Sequence, residues 1–220
     1  MAAGGWREAF FRRGFLKLSP TMDARGGDVH RAQLFRGLTG TVVEVGAGTG
    51  TTFQHYGTAV DSVLAIEPDE QLRAIAENAA REANATITVS DGTAEAIPAE
   101  DHSCDWVVCS LVLCTVPDQQ AALAEFVRVL KPGGRLMFYE HVRSSSRAVA
   151  VVQDALTPAW AAIAGGCRPN RDTLAAIESA GFAVDTVDRF GFSPHPLSPE
   201  IDHIAGIAHV AGEHPLTVTS

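Results

Sequence analysis

The chain has 220 residues, 46% of them hydrophobic and 20% charged, with a formal net charge of -9. That length supports one sizeable α/β domain with a real core. The acidic balance repels phosphate backbones and sets nucleic acid aside as a partner, no apolar run is long enough to span a bilayer, and the start lacks the ordered charged, apolar and small-residue blocks of a secretory leader.

The first stretch with a pattern is WREAFFRRGFLKLSP, locally basic and aromatic. Trp6, Phe10 and Phe11 share a helical face, with Arg7, Arg12, Arg13 and Lys17 largely elsewhere. The pattern predicts a helical lid within residues 1–38 that closes over a ligand crevice; a helix lying on a membrane surface is the alternative. Thr41–Val45, Val60–Ile66, Thr86–Ser90, Trp106–Leu113 and Gly134–His141 then read as buried strands, most of them rich in valine and isoleucine between turn signals. Between them, Asp69–Ala83 carries Leu72, Ile75, Ala76 and Ala79 on one helical face, and Gln119–Leu130 carries Leu123, Phe126, Val127 and Leu130. KPGG at Lys131–Gly134 ends the second helix and opens the next strand. Strand and helix in alternation predict a parallel sheet covered on both faces, with right-handed crossovers.

The later part differs. Val149–Ile163 has helical spacing interrupted by Pro158 and Trp160, and Arg171–Ala180 is a short helix ended by Gly181. Phe182–Phe190 and Ile201–Val210 read as two strands joined by a loop without a helix, which is most simply an antiparallel pair. The whole is a doubly wound, seven-stranded α/β sheet, mostly parallel, with an antiparallel strand at its C-terminal end and helices on both faces.

The four cysteines, Cys104, Cys109, Cys114 and Cys167, form no C-x-x-C pair. They make neither a disulfide framework nor a zinc signature, so the expectation is reduced thiols in a cytoplasmic protein and no metal site.

VVEVGAGTG, from Val42 to Gly50, places Gly46, Gly48 and Gly50 between a strand and a helix, where a ligand can touch backbone. The spacing is not that of the dinucleotide fingerprint: the third glycine comes one residue early and Thr51 stands where that fingerprint has glycine or alanine. No G-K-[ST] follows, so a phosphate loop is excluded. Glu67 ends the next strand in VLAIEPD, and a carboxylate there can accept both hydroxyls of a ribose.

VVEVGAGTG, AIEPD, GTAEAIP, DWVVCSLVLCTVPD and VLKPGGRLMFYEHV, in that order, resemble the class I S-adenosylmethionine-dependent methyltransferases, with their Rossmann-like fold. VVCSLVLCTV, EHV, QDALTPAW and GGC resemble more closely the methyltransferase-like protein 7 group of thiol methyltransferases. The resemblance implies S-adenosylmethionine as cofactor and a small-molecule methyl acceptor. It implies one methyltransferase domain over residues 1–220, with a cofactor-binding half at 39–142 and substrate-side helices and C-terminal strands at 143–220. Gly46, Ala47, Gly48 and Gly50 would form the backbone surface against the methionine part, and Glu44 would help hold its amino group. Glu67 would take the ribose and Pro68 would pack the adenine. Thr93 and Ala94 fall in the adenine loop, where Thr93 replaces the usual Asp; Ser110 and Leu111 fall beside the sulfonium.

Two residues are candidates for chemistry at the acceptor. Cys114 follows the fourth strand, with substrate contact and plain packing both open. His141 ends the fifth strand, where an imidazole suits either a base near neutral pH or a pocket wall. Phe10, Phe11, Phe15, Trp160 and the Gly165–Cys167 segment are expected to roof an apolar pocket. A thiol is the favoured acceptor, because it ionises with little help. Transfer to an amine, a phospholipid head group or a phenol is the alternative, and a cofactor-binding protein without turnover is the alternative of another class.

Overall fold

The computed structural model describes residues 9, 11–17, 28–193 and 200–212, with only the backbone of 28–30. Residues 11–17 form helix α1. Trp6, Phe10 and His195 lie outside the described residues, and so does half of the expected lid, residues 1–8, 10 and 18–27.

Helix α2 spans Asp28–Phe35, followed by β1 (Gly40–Val45), β2 (Val60–Ile66), α3 (Glu70–Glu82), β3 (Ile87–Ser90) and β4 (Cys104–Ser110). Then come α4 (Gln119–Val129), β5 (Leu130–His141), α5 (Arg147–Ile163), α6 (Thr173–Ser179), β6 (Phe182–Phe192) and β7 (Ile201–Val210). The seven strands form one sheet in the order β3-β2-β1-β4-β5-β7-β6. All pairs from β3 through β5 are parallel, while β7 runs antiparallel to both β5 and β6. This is the expected Rossmann-like α/β arrangement, and β7 is its antiparallel strand.

The central parallel strands β1 and β4 are buried on both faces, while the edge strand β6 is largely exposed. Along β1, Val43 and Val45 join the core that includes Leu123, Phe126 and Ile177 on one face, while Val42 joins Phe53, Ala76 and Met137 on the other. The helix starts are fixed by side chains. Asp69 accepts from the backbone N–H groups of Gln71 and Leu72, Asp118 from those of Gln120 and Ala121, and Asp172 from that of Ala175. Strand β1 lies where connections leave for opposite sides, with β2 on one flank and β4 on the other, and the crevice outside such strand ends is where open α/β sheets bind ligands.

Three sequence expectations shift. The fourth strand ends at Ser110 rather than at Leu113, because Leu111 takes a left-handed φ of 60° that no strand can continue. The KPGG segment does not separate helix from strand: Leu130 already pairs with Cys104, and the ladder resumes with Arg135 opposite Trp106, so the segment is an irregularity within β5. Pro158 does not break α5. It lies inside the helix, where the Thr157 hydroxyl donates to the Gln153 carbonyl at 2.7 Å.

Candidate active site

A cavity of about 930 Å³ opens at the carboxyl ends of β1, β2 and β4. Gly46, Ala47 and Gly48 line it after β1, Glu67 and Pro68 after β2, Thr93 and Ala94 after β3, and Ser110 and Leu111 after β4. Glu44 lines it from within β1. Gly50 is the one predicted cofactor contact that does not. A Cβ on Gly50 would meet the Phe53 ring at 2.6 Å and Ala79 at 3.0 Å, so this glycine lets the turn pack against α3.

The turn is built to bring backbone to the crevice. The N–H groups of Gly46 and Ala47 both donate to the Ile66 carbonyl, at 2.8 and 3.0 Å. Gly46 has φ 68°, and a Cβ there would fall 2.6 Å from Val112 Cγ2 across the crevice. The Gly48 N–H donates to Glu67 Oε2 at 2.8 Å, and the Asp69 N–H donates to Oε1 at 2.9 Å. Burial pushes the Glu67 carboxyl up and those two N–H donors pull it back. Each oxygen keeps lone-pair capacity for a further donor.

Glu44 is 2% exposed. Its Oε1 accepts from the Thr52 hydroxyl at 2.6 Å and its Oε2 from the Tyr56 hydroxyl at 2.7 Å. Burial pushes its pKa up to about 7, against the pull of Thr52, Tyr56 and the nearby Arg31. Arg31, from α2, also lines the cavity.

Sequence reasoning gave Glu140 no part of its own. Its carboxylate is fully buried, and Oε1 accepts from the N–H groups of Val112 and Leu113, both at 2.9 Å. Oε2 accepts from the Cys114 N–H at 3.0 Å. Burial raises its pKa and the three donors oppose the rise. This carboxylate lets the chain leave β4 at Leu111, because it satisfies N–H groups that the sheet no longer pairs. A buried acidic residue inside an apolar strand end, in YEHV, was the available signal.

Neither candidate catalytic residue lines the cavity. Cys114 is fully buried, while its neighbour Thr115 does line the wall. His141 lies beside Cys114, its Nδ1 3.5 Å from the Cys114 sulfur. A third residue joins them: Cys167 Sγ stands 3.4 Å from the same nitrogen and 3.8 Å from Cys114 Sγ. The shared hydrogen bond between the sulfurs, helped by His141, holds the Cys167 thiol well below its ordinary range, while the same bond, and then burial, raise Cys114. The expectation of no metal-ligand set had rested on sequence spacing, and the fold brings these three together regardless.

The far end of the crevice is walled by α1, α5 and the turn after α5. Phe11 and Phe15 line it, with Val112, Val116, Ala161 and Ala162. A Cβ on Gly165 would strike the Phe11 ring at 2.6 Å, and one on Gly48 would lie 3.2 Å from Phe15. Arg12 pairs with Asp69 at 2.7 Å. Thus α1 touches both the glycine-turn side and the α5 side. Trp160, expected in the roof, is not among the lining residues and is 40% exposed; the inner face of α5 is instead Pro158, Ala161 and Ala162.

The donor set suits a ligand cationic at one end, where Glu44 lies. It needs hydroxyls in the middle, for Glu67, and a flat apolar part beside Pro68, Leu72 and Ala94. Residues 43–138 match the family described as a methyltransferase domain. Over 176 residues the chain is 35% identical to the rat protein named thiol S-methyltransferase TMT1B, covering 76% of this chain and 70% of that one. It is 35% identical over 186 residues to human thiol S-methyltransferase TMT1A, covering 80% and 74%. Among solved structures, a putative methyltransferase from Bacillus halodurans C-125 superposes with a TM-score of 0.70 at 18% identity, covering 83% of this chain and 98% of that one. A possible histamine N-methyltransferase from Thermotoga maritima gives 0.68 at 22% identity, covering 91% and 97%. The chain belongs to the family of these curated relatives, within the class I S-adenosylmethionine-dependent methyltransferases, and S-adenosylmethionine is its cofactor.

Proposed function

We propose that the chain methylates the sulfur of a small apolar thiol. The observation that carries this reading is the acceptor end of the crevice. Its wall is mostly apolar, with Thr115 and Arg168 as polar members, and no histidine is among the described residues that line it. An aliphatic hydroxyl would need a positioned base there. A thiol ionises near pH 8.5 and presents a few per cent thiolate at pH 7 without one. The names of the mammalian relatives agree with that acceptor.

S-adenosylmethionine supplies, when bound, a methyl group on a cationic sulfur that is already activated. The chain contributes position and dryness. Glu67 accepts the ribose hydroxyls, and Glu44 faces the ammonium. Gly46, Ala47 and Gly48 admit close backbone approach, Pro68, Thr93 and Ala94 flank the adenine, and Ser110 and Leu111 flank the reacting sulfur. Phe11 and Phe15 of α1 cover the acceptor end. Cys114 and His141 shape that wall from behind, through Thr115, and neither forms a bond to substrate.

The test is a methyl-labelled cofactor offered with thiol, amine and phenol acceptors built on the same apolar body. The expected product is the thioether alone or in large excess. Methylation of the amine or phenol with the thiol untouched would refute the thiol reading, and no transfer to any acceptor by a chain that binds cofactor would point to a protein without turnover.

A further inference from the structure

Cys114, His141 and Cys167 are 27, 26 and 53 residues apart in pairs, yet their ligating atoms all lie within 4.8 Å of one another. The three edges of the triangle are 3.8 Å between the sulfurs and 3.5 and 3.4 Å from each sulfur to the imidazole nitrogen. A tetrahedral zinc ion with Zn–S near 2.3 Å and Zn–N near 2.0–2.1 Å separates its donors by about 3.8 Å for S···S and about 3.5 Å for S···N. All three edges agree with those separations within about 0.2 Å.

The donors are held on braced backbone. Glu140 fixes the Cys114 N–H, and His141 is the next residue along β5. The Arg168 N–H donates to the Cys114 carbonyl at 2.7 Å, which ties the loop of Cys167 to the loop of Cys114. The Cys167 N–H is itself taken by the Ala164 carbonyl at 3.0 Å. The His141 ring is packed against the His203 ring, 4.5 Å between centroids, which limits its rotation. Arg171 donates to the Leu113 carbonyl at 2.7 Å, placing a guanidinium near the sulfurs. The cluster is buried apart from His141, which is partly exposed and gives a way in.

We propose that Cys114, Cys167 and His141 form a three-ligand site for a thiophilic divalent cation of the zinc type. Two thiolates and a neutral imidazole make a neutral assembly with such an ion, which suits a buried place. Binding forms two metal–sulfur bonds and one metal–nitrogen bond. The thiol protons leave to solvent and no electron is transferred. Three protein ligands leave a fourth tetrahedral position to an outside donor, the arrangement of an open site rather than a closed structural one. Neither the geometry nor its test depends on which acceptor the enzyme methylates.

The test uses the full chain, reduced, stripped with a chelator and titrated anaerobically with cobalt(II) alone. One equivalent should bring up the intense visible bands of four-coordinate cobalt together with thiolate-to-metal charge transfer, and zinc(II) should abolish both. The bands should be lost in Cys114→Ser, Cys167→Ser and His141→Gln, and kept in Cys104→Ala. Cofactor binding, measured on every variant, separates a lost site from a lost fold. The proposal is overturned if the wild-type chain binds cofactor but gives only the weak spectrum of six-coordinate cobalt. It is equally overturned if the bands survive all three ligand variants.

Discussion

Gly46, Gly48, Glu67 and Leu111 sit within a few residues of the ends of parallel strands, and hydrogen bonds to neighbouring strands or turns hold them. Phe11, Phe15, Ala161 and Gly165, at the other end of the same crevice, come from helices and a turn that belong to no strand. The sheet ladder fixes the first group by register, so a shift of one residue would disrupt the whole sheet. The second group is fixed by packing, which tolerates volume-conserving change. One chain can therefore keep its methyl donor while the acceptor end varies. That contrast explains why a family match speaks for the cofactor more firmly than for the acceptor.

Substitutions at the donor end should cost most. Gly46→Val places a branched side chain at φ 68° and drives its Cβ into Val112. Left-handed strain and overpacking together amount to about 3 kcal/mol, roughly a hundredfold in cofactor affinity. Calorimetry finding wild-type affinity would break the assignment of that turn. Next comes Glu67→Ala, which removes the proposed ribose acceptor and the partner of the Gly48 N–H. A charged hydrogen bond contributes about 1.5–3 kcal/mol, so affinity should fall by roughly ten- to a hundredfold. An unchanged affinity would leave Glu67 with a purely structural role.

Glu44 sharpens the comparison through pH. Its folded pKa, about 7, stands above the ordinary 4.5. Its contribution to apoprotein stability is then fully present below pH 4.5 and is lost as pH rises through 7, about 3 kcal/mol in all. A cationic ammonium beside it favours the ionised form, so cofactor affinity should rise by up to about tenfold per pH unit below 7 and level off above. Glu44→Gln should flatten both profiles. A slope that survives the substitution would place the ammonium elsewhere. Smallest is the acceptor end: Phe11→Ala should raise the acceptor KM several-fold, on the order of 1 kcal/mol, with little change in cofactor affinity. Leu156→Ser, on the exposed outer row of α5, should change neither. Equal losses of cofactor and acceptor binding in Phe11→Ala would erase the division between the two ends.

The division also governs what the sequence could tell. Strands β1 and β2, the glycine turn and Glu67 are legible because their signals are local: valine runs, glycine spacing and an acid at a strand end. The fourth strand ran three residues too far, since LVL is as apolar as the strand it follows and only the buried Glu140 explains why the chain turns there. Gly50 was given a ligand role from its place in the pattern, whereas Phe53 and Ala79 account for it. Cys167 was invisible as a partner of Cys114. The two are 53 residues apart, with α4, β5 and α5 between them in the chain. Trp160 looked like roof because helical spacing says which residues share a face and not which face turns inward.

Glu140 holds three consecutive N–H groups, and the turn they form has Leu111 at one end and Cys114 at the other. Leu111 lies on the crevice and Cys114 belongs to the sulfur cluster. A single carboxylate thus braces the turn that joins the crevice to the proposed cation site. If filling the crevice shifts that turn, it changes affinity at the sulfurs, and thermodynamic reciprocity requires an ion at the sulfurs to change cofactor affinity by the same factor.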